Sequence, residues 1–304
     1  MGGIFLRLFV HGVLYLLFWV TPAWASEPIA GVDPFWAPLV ERLVADGEDP
    51  KGLAELFSRD AVRFDPRVMP RKLTHSEVAL NYERFLAPER IRRARSFLAK
   101  NQDLLCRVEK DFGVPKEIQT AVFLIETDLG AYLGGGNAFT VLASMARAGS
   151  IEEMAMWLPL DSMAASEREG LDKRLRDKSE WAYQELRALL RHSREGGIDP
   201  VTTPASIFGA IGLCQFMPTN VIKYGVDRDA DGRVNLFTVE DAAASMANYL
   251  RSHGWRPGLG RDDQLKVILA YNYSRPYART VLAVAERLGW NGGPGESPTS
   301  CPGR

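Results

Sequence analysis

Apolar residues recur at helical spacing along most of the chain. In WAPLVERLVADG, Trp36 to Gly47, they fall on one helical face and the run closes at a glycine, a common helix stop. From Ser76 onward the same period dominates. It predicts helices over roughly 88–112, 116–129, 179–192, 239–253, 262–271 and 276–288. Strict apolar–polar alternation is never sustained, so any sheet should be small. The stretch ELFSRDAVRFDPRVMPRKLT, 55–74, follows neither period and is expected to be irregular or extended, wrapping the core. There is no internal repeat. The tail NGGPGESPTSCPGR, 291–304, is rich in Gly, Pro and Ser and is expected to be disordered.

The amino terminus follows a different pattern. Arg7 precedes an apolar stretch from Leu8 to Val20, and Ala23-Trp24-Ala25 has the small-x-small form of a signal-peptidase site. The stretch falls short of the roughly 20 residues that span a bilayer. Residues 1–25 therefore read as a signal peptide cut after Ala25. No cysteine stands near that site to carry a lipid. The mature protein is expected to be exported, periplasmic and soluble, without a stable membrane span. The remainder divides into an N-terminal wrapping segment, 26–75, one domain over 76–290, and the tail.

Composition narrows the classes only a little. The chain is 46% hydrophobic and 25% charged with a formal net charge of −1, so it lacks the basic excess of a nucleic-acid binder. Its cysteines are Cys106, Cys214 and Cys301. In an oxidising compartment an odd count leaves at least one thiol unpaired within the chain, and Cys106 with Cys214 is one open pairing. Their wide spacing and the lack of neighbouring His or Cys argue against zinc.

Three stretches carry candidate chemistry. In AVFLIETDLG, 121–130, Glu126 follows an unbroken apolar run and lies three and four residues after Phe123 and Val122, hence on their helical face. It is either a solvated helix residue or a carboxyl in an apolar pocket. In the second case desolvation would raise its pKa and suit it to proton donation near neutral pH. Asp128, two residues on, points away from it on a helix, so this helix does not supply a pair of cooperating carboxylates. In PASIFGAIGLCQFMPTN, 204–220, Gly209, Ala210 and Gly212 permit close backbone approach, while Gln215 and Phe216 offer an amide and a ring. Such a surface suits a sugar, and a tight helix contact with a buried Gln fits equally. In AYNYSRPYA, 270–278, Tyr271, Asn272, Tyr273 and Tyr277 crowd a junction bent by Pro276. Tyrosines so placed serve a core as readily as a ligand.

Taken together, these motifs resemble the lytic murein transglycosylases of the membrane-bound B type, over about Ser76 to Trp290. ETDLG matches that family's E-T-x-x-G around a single catalytic acid. GAIGLCQFMPTN matches its G-A-x-G-x-x-Q-F-M-P, and AYNYS its A-Y-N-x-S. DRDADGRVNLFTVEDAAASMANYLRSHGW matches its calcium loop, following helix and terminal H-G-W. The resemblance implies a mostly α-helical α+β protein with a lysozyme-like catalytic domain and an inserted EF-hand-like calcium loop, 227–241. It implies peptidoglycan glycan strands as substrate, other cell-wall enzymes as partners and no organic cofactor. Glu126 would protonate the glycosidic oxygen between N-acetylmuramic acid and N-acetylglucosamine. It would then take the proton of the muramic C6 hydroxyl as that group closes a 1,6-anhydro ring. The nucleophile belongs to the substrate and is held at high effective molarity, so no second carboxylate is needed. Ser206, Gln215, Phe216, Tyr271, Asn272 and Tyr277 would line the groove.

In the loop, Asp227, Asp229 and Asp231 take EF-hand positions one, three and five, with Gly232 at six and the Arg233 carbonyl at seven. Position twelve is Thr238 instead of the usual Glu. The family's longer loop ends three residues later, on Asp241. A solvated Asp/Gly turn is the bland alternative. Two departures from the family stand out. The connector after the A-x-L-A segment is long, with Lys178 alone approximating one of two arginines, and Cys214 stands where glycine would be unremarkable. Two rivals are a hydrolytic muramidase, needing another acid such as Asp128 near Glu126, and a non-enzymatic glycan-binding scaffold. Reducing muramic ends among the products would mark the first, and absence of turnover the second.

Overall fold

The computed structural model of the protein describes residues 31–75, 81–292 and Cys301. The expected signal peptide and most of the tail lie outside the described residues. Helices dominate, joined by short turns. Among the described residues a single two-stranded antiparallel sheet, β1 (Gly136–Asn137) with β2 (Pro204–Ala205), pairs Gly136 with Ala205. No helix among the described residues is long and apolar enough to cross a membrane.

The N-terminal segment is more helical than its pattern suggests. After α1 (Ala37–Ala45) come α2 (Pro50–Phe57) and α3 (Val68–Thr74). Asp49 starts α2 by accepting the Gly52 N–H at 2.7 Å, with Pro50 at the first turn. Helices of eight and seven residues are too short for their apolar period to register, but they bury Leu53, Phe57, Val68 and Met69.

The helix expected over 88–112 is two, α4 (Pro88–Lys100) and α5 (Gln102–Phe112). Asn101 separates them, its side-chain amide donating to the Phe97 carbonyl at 2.8 Å. This local bond competes with continuation of the helix. Next, α6 (Lys116–Thr127) is buried almost all round, with Ile118, Ala121, Phe123 and Leu124 at 0% exposure. A helix apolar on every side belongs at the centre of a domain, and α6 packs against α4, α5 and α13 (Arg275–Leu288).

The pattern missed α7 (Ala138–Arg147), which Asn137 caps by accepting the Thr140 N–H at 2.7 Å. The long connector then folds as α8 (Ile151–Met154) and the first half of α9 (Ala165–Arg194). The expected 179–192 helix thus begins fourteen residues earlier. Its charged first half shows little apolar stripe, only Leu171 and Leu175 facing inward, with an Asp172–Arg176 pair one turn apart on its flank. After α10 (Pro218–Tyr224), α11 (Val239–Ser252) and α12 (Arg261–Tyr271) follow the predicted spans closely.

Cysteine pairing is settled differently from the open suggestion. Cys106 of α5 is bonded to Cys301, and Cys214 is a buried free thiol. The tail, expected to be disordered, is therefore anchored at Cys301.

Candidate active site

Glu126 lies in the last turn of α6, half-buried, and its Oε1 accepts the Tyr277 hydroxyl at 2.6 Å. Tyr277 is placed by the start of α13. Ser274 caps that helix by accepting the Tyr277 N–H at 3.3 Å, and Pro276 sets the first turn. The Tyr277 ring is buried, parallel to Tyr271 with centroids 6.5 Å apart and edge-on to Tyr82 at 5.9 Å.

The loop after β2 meets the same point from another side. Tyr271, from the end of α12, donates its hydroxyl to the Cys214 carbonyl. Thr127, directly after Glu126, shares its hydroxyl proton between the carbonyls of Phe123 and Leu213, at 3.3 and 3.1 Å, and accepts the Gly130 N–H. The 211–217 turn is thereby sewn to the end of α6. Its tightness depends on Gly212, at φ +75, where a Cβ would sit 2.4 Å from the Leu236 Cβ. Burial, together with the nearby Cys214, Glu126 and tyrosines, raises the Tyr271 pKa well above its usual value, keeping it a neutral donor. The Cys214 thiol is likewise pushed up by burial, then by Glu126, so it is no thiolate nucleophile.

The groove residues separate into kinds. Gln215 is half-buried at φ +49 and donates its amide to the Gly212 carbonyl at 2.9 Å. Ser206 organises its own turn, its hydroxyl accepting the Phe208 and Ala210 N–H groups. Asn272 is half-buried and its side chain makes no hydrogen bond among the described residues. Phe216 is a correction. At 2% exposure it offers no face to a sugar, and packs between Tyr249 and Tyr271 at 5.6 and 5.9 Å. The sequence reading also passed over Tyr82, whose stretch carries no motif, and Tyr249, which lies within the matched stretch after the acidic loop but was given no role. Lys178 is exposed on α9.

Asp128 is not available as a partner acid. It occupies the left-handed C-cap of α6, and its two carboxylate oxygens accept Arg90 at 2.9 Å and Arg93 at 2.7 Å.

In the 227–241 loop, Asp227, Asp229 and Asp241 offer oxygens within 4.8 Å of one another. Asp241 is fully buried and accepts the Arg228 and Asn235 N–H groups, both at 2.7 Å. At Asp229 the Asp231 N–H bond lowers the pKa, but desolvation and the carboxylates of Asp231, Asp241 and Asp227 outweigh it and the pKa is raised. An all-oxygen set of crowded carboxylates fits a hard dication. Asp231 does not join the trio. Its carboxylate accepts the Arg233 N–H at 2.9 Å instead.

Residues 31–262 match the family model described as the transglycosylase SLT domain. The chain belongs to this family. It is 28% identical over 210 residues to the membrane-bound lytic murein transglycosylase B of Escherichia coli (strain K12), covering 67% of this chain and 50% of that one. It thus spans about half the length of that curated relative. Among solved structures it resembles the soluble lytic transglycosylase SltB1 from Pseudomonas aeruginosa, with a TM-score of 0.68 and 25% identity, covering 84% of this chain and 98% of that one. It also resembles the Escherichia coli lytic transglycosylase SLT35 in complex with calcium, with a TM-score of 0.66 and 21% identity, covering 84% and 93%. The lysozyme-like, mostly helical fold expected for this family is the one observed.

Proposed function

We propose that this protein is a peptidoglycan lytic transglycosylase that cleaves the β-1,4 bond between N-acetylmuramic acid and N-acetylglucosamine, leaving 1,6-anhydromuramic ends. The observation that carries this reading is the Glu126–Tyr277 pair at the mouth of a tyrosine-lined site, with the nearest acid in the chain, Asp128, committed to two arginines. One carboxyl then serves both steps. Protonated, Glu126 gives its proton to the leaving glycosidic oxygen. As the carboxylate it removes the proton of the C6 hydroxyl while that oxygen bonds to C1. The Tyr277 hydroxyl steadies the carboxylate between the steps. A hydrolase would need a water and a base to activate it, and the Asp128 ion pairs speak against that route.

Ser206, Gln215, Tyr271 and Asn272 would line the glycan groove, with Phe216 supporting it from beneath. Calcium would be held by Asp227, Asp229 and Asp241, where it supplies charge neutralisation to the loop and no chemistry to the sugar. The relatives' murein substrate and the N-terminal apolar stretch support export to the periplasm as the site of action.

Mass spectrometry of muropeptides released from purified sacculi tests the reading. Anhydromuramic products are expected from the parent. Glu126→Gln should lose about 10²–10⁴ in rate or more, since general acid–base catalysis alone accounts for that range, while its melting curve stays near the parent's. Reducing muramic ends, or activity in the variant within threefold of the parent, overturns it.

A further inference from the structure

Three successive left-handed residues follow directly on Glu126 and Thr127: Asp128 at φ +51, Leu129 at φ +64 and Gly130 at φ +87. Only the last is glycine. A leucine in this region is held against its own steric preference, so something must over-determine the turn. Part of the hold is ordinary helix closure, with the Asp128 N–H on the Leu124 carbonyl and the Leu129 N–H on the Phe123 carbonyl. The rest comes from outside the helix.

That outside hold is two arginines on α4, three residues apart and so on one face. Arg90 Nη1 donates to Asp128 Oδ1 at 2.9 Å and Arg93 Nη1 to Oδ2 at 2.7 Å, while Arg93 Nη2 reaches the Asp128 main-chain carbonyl at 3.1 Å. One residue is thus gripped at both carboxylate oxygens and at its backbone. The same helix also grips α13, the element that carries Tyr277. Arg95 donates to the Arg287 carbonyl at 2.7 Å, and Arg287 donates in turn to the Leu86 carbonyl just before α4. So α4 is tied by arginines to both elements whose side chains meet in the Glu126–Tyr277 hydrogen bond.

We infer that Arg90, Arg93 and Asp128 form a positioning clamp for the proton-transfer group, fixing the last turn of α6 so that the Glu126 carboxyl faces both the Tyr277 hydroxyl and the scissile bond. The clamp acts through Glu126 and requires none of the three to touch substrate. The inference rests on the transglycosylase reading of the site. A general acid displaced by about 1 Å can forfeit on the order of 100-fold in rate while leaving binding intact. The clamp therefore acts on kcat, whereas a merely structural ion pair would act on stability alone.

The test compares Arg93→Lys, Arg90→Met/Arg93→Met and Asp128→Ala with the parent and with Arg92→Met. Arg92 is on the same helix and pairs only with Glu89 one turn away, at 2.6 Å on the exposed side. Release of anhydromuropeptides from sacculi is measured well below each protein's melting midpoint, and kcat and KM are taken separately. We expect kcat to fall about 10- to 100-fold in the double variant and in Asp128→Ala, with KM within threefold. A variant combining Arg90→Met, Arg93→Met and Asp128→Ala should be no worse than either, because the groups act as one unit. Arg93→Lys should recover part of the loss and Arg92→Met should match the parent. If the folded double variant keeps kcat within twofold of the parent, or if rate losses vanish once temperature is set relative to the melting midpoint, the clamp is overturned while the functional reading stands. A parent that makes no anhydro product overturns the functional reading itself, and this inference with it.

Discussion

Tyr277 combines a buried ring with a hydroxyl that donates to Glu126, and the two parts have separable consequences. The ring is held in the core against Tyr271 and Tyr82, so Tyr277→Phe should leave the fold intact. What it removes is the 2.6 Å bond to Glu126. A hydrogen bond to a charged group is worth about 1.5–3 kcal/mol, and about 1.4 kcal/mol corresponds to a factor of ten in rate. We expect kcat to fall about 10- to 100-fold in this variant with a melting curve close to the parent's. Steady-state kinetics beside thermal melts check it, and an unchanged kcat would show that the bond has no part in turnover. The neighbours of Glu126 left a solvated residue and a pocket carboxyl both open, and only the combined motifs favoured the second; its place on the apolar helix face was legible. Phe216 was not. The turn GLCQFMP follows no period, and which of its side chains faces inward depends on cross-loop bonds such as Ile211 with Phe216.

At the scale of elements, the 227–241 loop and α11 form one unit. Thr238 caps α11 by accepting the Asp241 N–H, and the buried Asp241 carboxylate closes the loop by accepting two backbone donors. Three carboxylates share this space at the cost of mutual repulsion, which a dication relieves. Calcium is expected to raise the melting temperature over that of chelator-treated protein. Asp229→Ala should remove the increment, since Asp229 belongs to the trio and is otherwise exposed. Asp231→Ala should retain more of it, because Asp231 stands outside the trio whose oxygens lie within 4.8 Å of one another. Scanning fluorimetry with calcium and with chelator reads both, and identical curves for metal-free parent protein in the two conditions would remove the metal from the account. The EF-hand spacing made the loop readable. Membership of the trio was not, because spacing says nothing of which carboxylate oxygens the folded loop brings within reach of one another.

The whole molecule is closed covalently as well as by packing. Cys106 and Cys301 are separated by 195 residues, so their bond spans α6, the turn at 211–217, the acidic loop and α13. In the chain-entropy picture a loop of this length constrains the unfolded state by about 5 kcal/mol at most. Reductant should lower the melting temperature of the parent, and Cys301→Ala should melt at the reduced parent's temperature and ignore reductant. Equal melts for oxidised and reduced parent would count against a stabilising role. Cys214 should contribute nothing to this difference, being fully buried and unpaired.

Local pattern alone determined the longer helices, the smallness of the sheet, the acid at the end of α6 and the existence of an acidic loop. Each of these is a periodicity or a spacing within some fifteen residues. The break at Asn101, the early start of α9 and the short helices α2 and α3 were decided by single side-chain bonds or by burial against distant segments, which leave no period in the chain. The cysteine partner needed the path of the tail back to α5. The Glu126–Tyr277 bond joins residues 151 positions apart, and the arginine grip on Asp128 joins two helices whose contact no periodicity specifies. Sequence specifies which groups exist and which face of a helix they share. Only packing in three dimensions brings a hydroxyl from one helix, and two guanidinium groups from another, to the end of a third.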